Sequence, residues 1–104
     1  MSAPVEEVFA ALADPTRLRL LDLLAADGEA TATTLAGHVP VSRQAVVKHL
    51  AVLDRAGLVE ARRSGREVRY AVRPHGLSAA ASWLATRAAE WDTRLASIKR
   101  IAEG

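Results

Sequence analysis

The sequence of 104 residues contains no cysteine, and only 4% of its residues are aromatic. Without thiols the chain can form no disulfide bond, no thiolate metal site and no cysteine nucleophile. With few rings, the core has to come from the alanine and leucine that dominate the 50% apolar composition, which favours closely packed helices. We expect a single domain over residues 1–104, with a modest stability that dimerisation would increase.

Membrane and enzyme signatures are missing too. No apolar run approaches the roughly 18 residues that span a bilayer, and Met1–Ala13 carries Glu6 and Glu7 in place of the basic start of a signal peptide. We therefore expect a cytoplasmic protein without membrane contact. The sequence has no Gly-rich phosphate loop or paired-carboxylate signature. Ser42 and His49 would lie about 10 Å apart along one helix, too far for a nucleophile and its base. We expect neither enzymatic activity nor a cofactor.

Positive charge is concentrated in the middle of the sequence. The formal net charge is +2, but residues 1–42 carry a net −4, residues 43–73 a net +5 and residues 74–104 a net +1. Charge alone leaves a solvated surface and a surface that binds a polyanion equally open. The local structure around the charges has to decide between them.

Two helices are predicted before this basic block. The first covers Pro4–Ala13, where apolar side chains recur at helical spacing. The second begins at Asp14-Pro15, because an Asp side chain caps free backbone N–H groups and proline suits the first helical position. It ends at Asp27-Gly28.

A helix-turn-helix is predicted over residues 31–55. Thr31–Gly37 has the pattern of a short helix with a threonine cap, and Gly37–Pro40 ends that helix. Ser42 can cap the next helix, which runs to about Arg55. Its buried side is predicted to consist of Ala45, Val46, Leu50 and Leu53.

A basic β-hairpin, the wing, is predicted over residues 58–72. Leu58–Arg62 and Glu67–Val72 alternate with a period of two, and Ser64-Gly65 suits a tight turn between them. A helix-turn-helix followed by a basic hairpin indicates a winged helix. The predicted fold class is therefore mainly α with a small β-hairpin, a winged helix-turn-helix with a long C-terminal dimerisation helix.

That last helix is predicted over residues 77–103. Its apolar side chains are spaced 4-3-4-3-4-3-4, at Leu77, Ala81, Leu84, Ala88, Trp91, Leu95, Ile98 and Ala102. A seam held for nearly four heptads favours self-association over packing on the chain's own domain alone. Trp83 lies off the seam and is expected to pack on the core.

The outer side of the Ser42–Arg55 helix carries the side chains that suit DNA. Arg43 can donate two hydrogen bonds to guanine or contact a phosphate, and Gln44 offers the donor and acceptor that suit adenine. Lys48 lies one turn beyond Gln44, and Val47 can touch a thymine methyl. Ser42 and the helix N-terminus can bind a phosphate oxygen. The alternative is a set of solvent-exposed helical side chains. We predict DNA contact for all five.

Four arginines lie near the turn of the wing, at Arg62, Arg63, Arg66 and Arg69. Arginine is favoured in a narrow A·T-rich minor groove, and the remaining arginines would neutralise phosphates. The alternative is a charged hairpin that discourages aggregation through its edge. We predict DNA contact for all four.

Three stretches resemble the ArsR family of bacterial winged-helix repressors, namely Ala11–Leu21, Val41–Leu53 and Ala56–Val59. The resemblance covers most of the chain in the right order. It implies that residues 42–49 form the recognition-helix motif and residues 62–69 the wing. It also implies a homodimer built from the first and last helices, which represses its own or a neighbouring operon from an inverted-repeat operator. The expected interface consists of Val5, Val8, Leu77, Leu84, Trp91, Leu95 and Ile98.

The founding members of that family sense metals, and here the sequence departs from them. They use a cysteine-containing motif or His and carboxylate ligands on the last helix, whereas residues 77–103 contain no histidine. His38, His49 and His75 show no ligand spacing, and His49 is expected to be a hydrogen-bonded structural residue. We predict no metal site. A small-molecule inducer stays open, as does the alternative function of a winged-helix module that binds an acidic protein.

Overall fold

The computed structural model describes residues 3–104, so the first two residues of the predicted domain lie outside the described part. The elements in chain order are α1 (Val5–Leu12), α2 (Pro15–Asp27), β1 (Ala30–Thr31), α3 (Ala32–Ala36), α4 (Arg43–Arg55), β2 (Val59–Ser64), β3 (Glu67–Val72) and α5 (Pro74–Glu103). The predicted fold class, mainly helical with a small antiparallel hairpin after a helix-turn-helix and a long last helix, is confirmed.

The helix starts are set by local capping. The side chains of Asp14, Thr31 and Ser42 each accept a hydrogen bond from the backbone N–H three residues on, at 3.1, 3.2 and 3.1 Å. Pro15 occupies the first position of α2, and Gly28 ends that helix with a φ of 85° that suits glycine. These caps and the end of α2 lie where the sequence predicts them.

The core lies where α2, α3, α4 and the start of the wing meet. Its fully buried large side chains are Leu20, Leu24, Leu35, Val46, Leu50, Leu53, Leu58 and Val59. The predicted inner side of α4 is thus confirmed at three of its four positions, and the fourth, Ala45, is half-buried. The burial of this side fixes which side of α4 faces solvent.

The sheet has the order β1-β3-β2, and both strand pairs are antiparallel. The predicted turn at Ser64-Gly65 is wrong by one residue, because Ser64 pairs with Glu67 and the turn residues are Gly65 and Arg66. Gly65 has a φ of 63°, and no residue other than glycine among positions 3–104 has a positive φ. A positive φ at the first turn position alone is the type II′ pattern, which matches the twist of paired strands.

The strand β1 was not predicted from the sequence. Ala30 pairs with Tyr70 and Thr31 with Arg69, so the connection between α2 and α3 adds a third strand to the wing. Two residues are too few to show an alternating pattern. This pairing joins the helix-turn-helix to the wing through the backbone.

Helix α5 begins at Pro74, three residues before the predicted start, and extends the molecule to 68 Å. Its first turns pack on the core, where Ala80 is buried and Leu77 is partly buried. The ring of Trp83 meets that of Phe9 edge-on at 5.4 Å, which confirms the expected core contact.

Candidate nucleic-acid interface

The exposed side of α4 presents an amide, an apolar and a cationic side chain together. Gln44, Val47 and Lys48 are all exposed, Val47 by 37%. Their spacing of i, i+3 and i+4 places them on one side of the helix. The arrangement offers a paired donor and acceptor, a methyl surface and a positive charge to one ligand surface.

The N-terminus of α4 lies beside this set of side chains and is also exposed. The Ser42 hydroxyl accepts the Ala45 N–H, and its own O–H proton stays available to donate. The Nε of Arg43 donates to Thr33 Oγ1 on α3 at 3.0 Å, which orients the guanidinium. The backbone N–H groups of the first helical turn have no intrahelical acceptor. This end of α4 can therefore bind an anion.

Arg17 joins α4 to the first two helices, a role that the sequence did not indicate. Its Nε and Nη2 donate to the carbonyl oxygens of Ala11 and Ala10 at 2.6 and 3.1 Å, at the end of α1. Its Nη1 lies 3.2 Å from His49 Nδ1 on α4. A guanidinium can only donate, so Nδ1 is the acceptor and the ring proton belongs on Nε2. His49 is thus a hydrogen-bonded structural residue, as expected.

Asp14 completes this connection. Its carboxylate accepts the backbone N–H of Arg17, and the Arg17 guanidinium lies 3.7 Å away. The backbone hydrogen bond and the nearby positive charge lower the pKa of the Asp14 carboxyl. The cap therefore carries a negative charge at neutral pH, next to the N-terminus of α2.

The wing carries its arginines in two different settings. We call Arg63 and Arg66 the wing-tip arginines and Arg62 and Arg69 the wing-base arginines. Both wing-tip arginines are exposed, and no ion pair is found for either within residues 3–104. The wing-tip arginines are thus free to contact an external anion.

The wing-base arginines are bound to one carboxylate, Glu29. Arg62 Nη2 donates to its Oε2 at 2.8 Å, and Arg69 Nη1 to its Oε1 at 3.3 Å. The hydrogen bond from Arg62 lowers the pKa of the Glu29 carboxyl. The pKa of Arg69 is raised, first by its hydrogen bond to Glu67 and then by Glu29. Glu29 is a site residue that no sequence pattern indicated.

The residues expected at a dimer interface fall into two groups. Val8 is only 4% exposed and belongs to the core of the single chain, Leu77 packs against that core, and Val5 is half-buried. On α5 the side chains that are more than half exposed include Leu84, Trp91, Leu95 and Ile98. Ile101, which lies outside the predicted seam, is 81% exposed. An apolar stripe therefore continues along the free part of α5.

Residues 3–104 contain no group of three or more His, Asp or Glu side chains that could bind a metal ion. None of the helices over these residues is both long and apolar enough to cross a bilayer. A cleft of about 500 Å³ lies between α1, the end of α4 and the start of α5, lined by residues that include Val5, Asp54, Arg73, His75 and Trp83. Its volume is in the range of small-molecule sites, and nothing in its lining identifies a ligand.

Comparison with known proteins gives one family model and several relatives. Residues 12–62 match the model described as a helix-turn-helix domain. The transcriptional repressor SdpR of Bacillus subtilis is 32% identical over 80 residues, which are 77% of this chain and 88% of that repressor. The probable mercury resistance operon repressor of Streptomyces lividans is 45% identical over 64 residues, which are 62% of this chain but 50% of that protein.

A solved structure is similar over nearly the whole chain. The ArsR-like transcriptional regulator from Rhodococcus sp. RHA1 superposes with a TM-score of 0.88 at 47% sequence identity. The alignment covers 95% of this chain and 90% of that one. The similarity therefore includes the long last helix as well as the helix-turn-helix and the wing.

Proposed function

Because the chain belongs to the ArsR family of winged helix-turn-helix transcriptional regulators, we propose that it represses transcription as a homodimer on an inverted-repeat operator of its own or a neighbouring operon. The observation that carries this proposal is the division of α4 into two sides. Val46, Leu50 and Leu53 are fully buried, while Gln44 and Lys48 are exposed next to a capped, accessible N-terminus.

In this proposal α4 enters the major groove. Gln44 and Arg43 contact base edges, Val47 meets a thymine methyl, and Lys48 contacts a phosphate or a base. Ser42 binds a phosphate oxygen together with the first N–H groups of α4. The wing-tip arginines contact the neighbouring minor groove or its phosphates.

The exposed stripe of α5 supports the homodimer. Leu84, Trp91, Leu95 and Ile98 are each more than half exposed in the single chain. A contiguous apolar surface of this kind usually marks an interface, and the heptad spacing suits a second helix of the same kind. A two-fold dimer presents two α4 helices, which explains why the proposed operator is an inverted repeat.

We further propose that the repressor does not respond to metal ions. The sequence contains no cysteine, and the residues between positions 3 and 104 provide no cluster of His and carboxylate side chains. Titration with arsenite and Zn²⁺ during DNA binding tests this point. Release of the operator at stoichiometric metal would contradict it.

The main test is a titration of the protein against duplex DNA from upstream of its own operon, with binding measured by fluorescence anisotropy. We expect site-specific binding that weakens by orders of magnitude between about 50 and 200 mM salt, because phosphate contacts release counterions. Gln44→Ala should lose about 1–3 kcal/mol of discrimination at one base position. The matched control is Arg19→Ala, which removes an exposed charge on α2 and should leave binding unchanged. Equal affinity for operator and scrambled DNA would contradict the proposed function.

A further inference from the structure

The wing-base arginines lie directly opposite each other in the hairpin. Arg62 on β2 is the cross-strand partner of Arg69 on β3. Cross-strand partners project from the same side of a sheet, and two like charges in this arrangement are destabilising. A negative group between them is needed to remove the repulsion.

Glu29 provides that negative group from outside the hairpin. Its two carboxylate oxygens accept one hydrogen bond each from Arg62 and Arg69, at 2.8 and 3.3 Å. Its side chain is 34% exposed, against 74% for Arg62, so the carboxylate lies closer to the body of the protein than the arginine does. One carboxylate therefore bridges two arginines that lie 33 and 40 positions away in the sequence.

The position of Glu29 in the chain makes this contact a connection between two parts of the molecule. Glu29 follows Gly28, which ends α2, and precedes β1, whose Thr31 pairs with Arg69. The pairing of β1 is only two residues long. The double ion pair therefore adds to a short backbone connection between the helix-turn-helix and the wing.

We propose that Glu29 is a positioning residue for the wing, which holds Arg62 and Arg69 in internal ion pairs and leaves DNA contact to Arg63 and Arg66. This inference rests on the proposed function and gives the reason why two of the four arginines that the sequence predicts at DNA do not contact it. The register supports the division, because Arg63 pairs opposite Val68, on the other side of the hairpin from Glu29, and Arg66 lies in the turn.

The opposite possibility is that phosphate replaces Glu29 as the partner of Arg62 and Arg69 when DNA binds. Glu29 would then compete with DNA, and its removal would strengthen binding. The two possibilities predict opposite changes in operator affinity for one substitution, Glu29→Gln. This substitution keeps the shape of the side chain and removes its charge.

The experiment measures operator affinity of the full chain across a salt series for four variants. If Glu29 positions the wing, Glu29→Gln binds about threefold to tenfold more weakly, with an unchanged slope of log K against log salt. Arg62→Met behaves in the same way, whereas Arg66→Met lowers the slope by about 1 for each phosphate that the variant no longer neutralises.

The matched control is Glu67→Gln, which should leave operator affinity unchanged. Glu67 pairs with Arg69 within β3 and forms no ion pair with another element among the described residues. Tighter binding by Glu29→Gln, or a slope reduced in Arg62→Met as in Arg66→Met, overturns the proposal.

A second measurement, without DNA, separates this inference from the proposed function. Hydrogen exchange of the Tyr70 amide, which faces β1 opposite Ala30, reports the β1–β3 pairing, and we expect faster exchange in Glu29→Gln but not in Glu67→Gln. If the wild-type chain binds no operator while exchange rises in Glu29→Gln alone, the proposed function fails and the structural role of Glu29 stands. If the operator binds but exchange is the same in both variants, the positioning role is overturned and the proposed function stands.

Discussion

Arg17, on α2, contacts two other helices with one side chain. Its guanidinium satisfies the Ala10 and Ala11 carbonyl oxygens at the end of α1 and donates to His49 on α4, while it belongs to α2. The side chain is 17% exposed, and its contacts with Ala11 and His49 are partly buried, whereas its contact with Ala10 is exposed. A planar group with five donors suits this task, and an ammonium on a flexible chain does not.

We therefore expect Arg17→Met to destabilise the fold by about 2–3 kcal/mol, since part-buried acceptors lose their donors. Arg17→Lys should fall between the wild type and Arg17→Met, because it keeps the charge but not the geometry. The measurement is urea unfolding followed by circular dichroism.

Arg19→Met is the control for this prediction. Arg19 lies on the same helix and is exposed, so its substitution should change the free energy of unfolding by no more than about 0.5 kcal/mol. Equal losses in the two methionine variants would show that the Arg17 contacts contribute nothing.

The difference between predicted and unpredicted residues follows from sequence separation. Asp14, Thr31 and Ser42 could be identified because a cap acts on the backbone three residues away. Arg17 and Glu29 could not, because Arg17 contacts His49 at a separation of 32 positions, and Glu29 contacts Arg62 and Arg69 at separations of 33 and 40. A contact of that kind depends on how the elements pack, which no local pattern contains.

At the scale of elements, the start of α5 depends on a close approach between two backbones. A side-chain Cβ at Gly76 would lie 2.8 Å from the carbonyl oxygen of Gly57 and 3.1 Å from Leu58 Cδ2. Gly57 follows the end of α4, so α5 begins almost in contact with the end of the proposed recognition helix. The predicted start at Leu77 was three residues late because the apolar seam begins there, whereas Pro74 already suits the first position of a helix.

This contact reverses the usual effect of replacing a helical glycine. In an open helix Gly76→Ala would stabilise by up to about 1 kcal/mol. Here the methyl group meets backbone atoms, so we expect a loss of about 1–3 kcal/mol. Thermal unfolding measures the change. Ala85→Gly, at an exposed position of α5, measures how much an exchange between alanine and glycine changes the stability of the same helix. A stabilised Gly76→Ala variant would contradict the close approach.

The wing shows which element features the sequence can supply. The period of two in the sequence identified two strands near their correct ends, and a glycine marked the turn to within one residue. The third strand has two residues and forms because β3 lies beside it. Its existence is a consequence of tertiary packing.

At the scale of the whole molecule, α5 is the element whose apolar side chains the single chain leaves exposed. Beyond Trp83 its apolar residues face solvent, and the longest dimension of the molecule, 68 Å, follows from this extension. The spacing of the seam could be found from the sequence. What the spacing could not show is which of its residues the chain buries itself, because that depends on how α1 packs against the first turns of α5.

We expect Leu95→Glu to convert the proposed dimer to monomers, since a charge would be buried in the centre of the seam. Sedimentation velocity measures the oligomeric state. Operator affinity should fall by about two to four orders of magnitude, because the two α4 helices would no longer bind as a linked pair.

Thr93→Glu is the matched control for the dimer. Thr93 is exposed on α5 and lies outside the seam, so the same charge there should leave both sedimentation and affinity unchanged. A Leu95→Glu variant that still sediments as a dimer would place the interface elsewhere.

The length of α5 beyond its last core contact has a mechanical consequence. From Trp83 to Glu103 the helix extends roughly 30 Å, so a tilt of one degree about Trp83 moves its far end by about 0.5 Å. About seven degrees match the 3.4 Å that separate successive nucleotides of a DNA strand. A dimer joined through such helices would convert a small change of angle into a shift of register between its two half-sites.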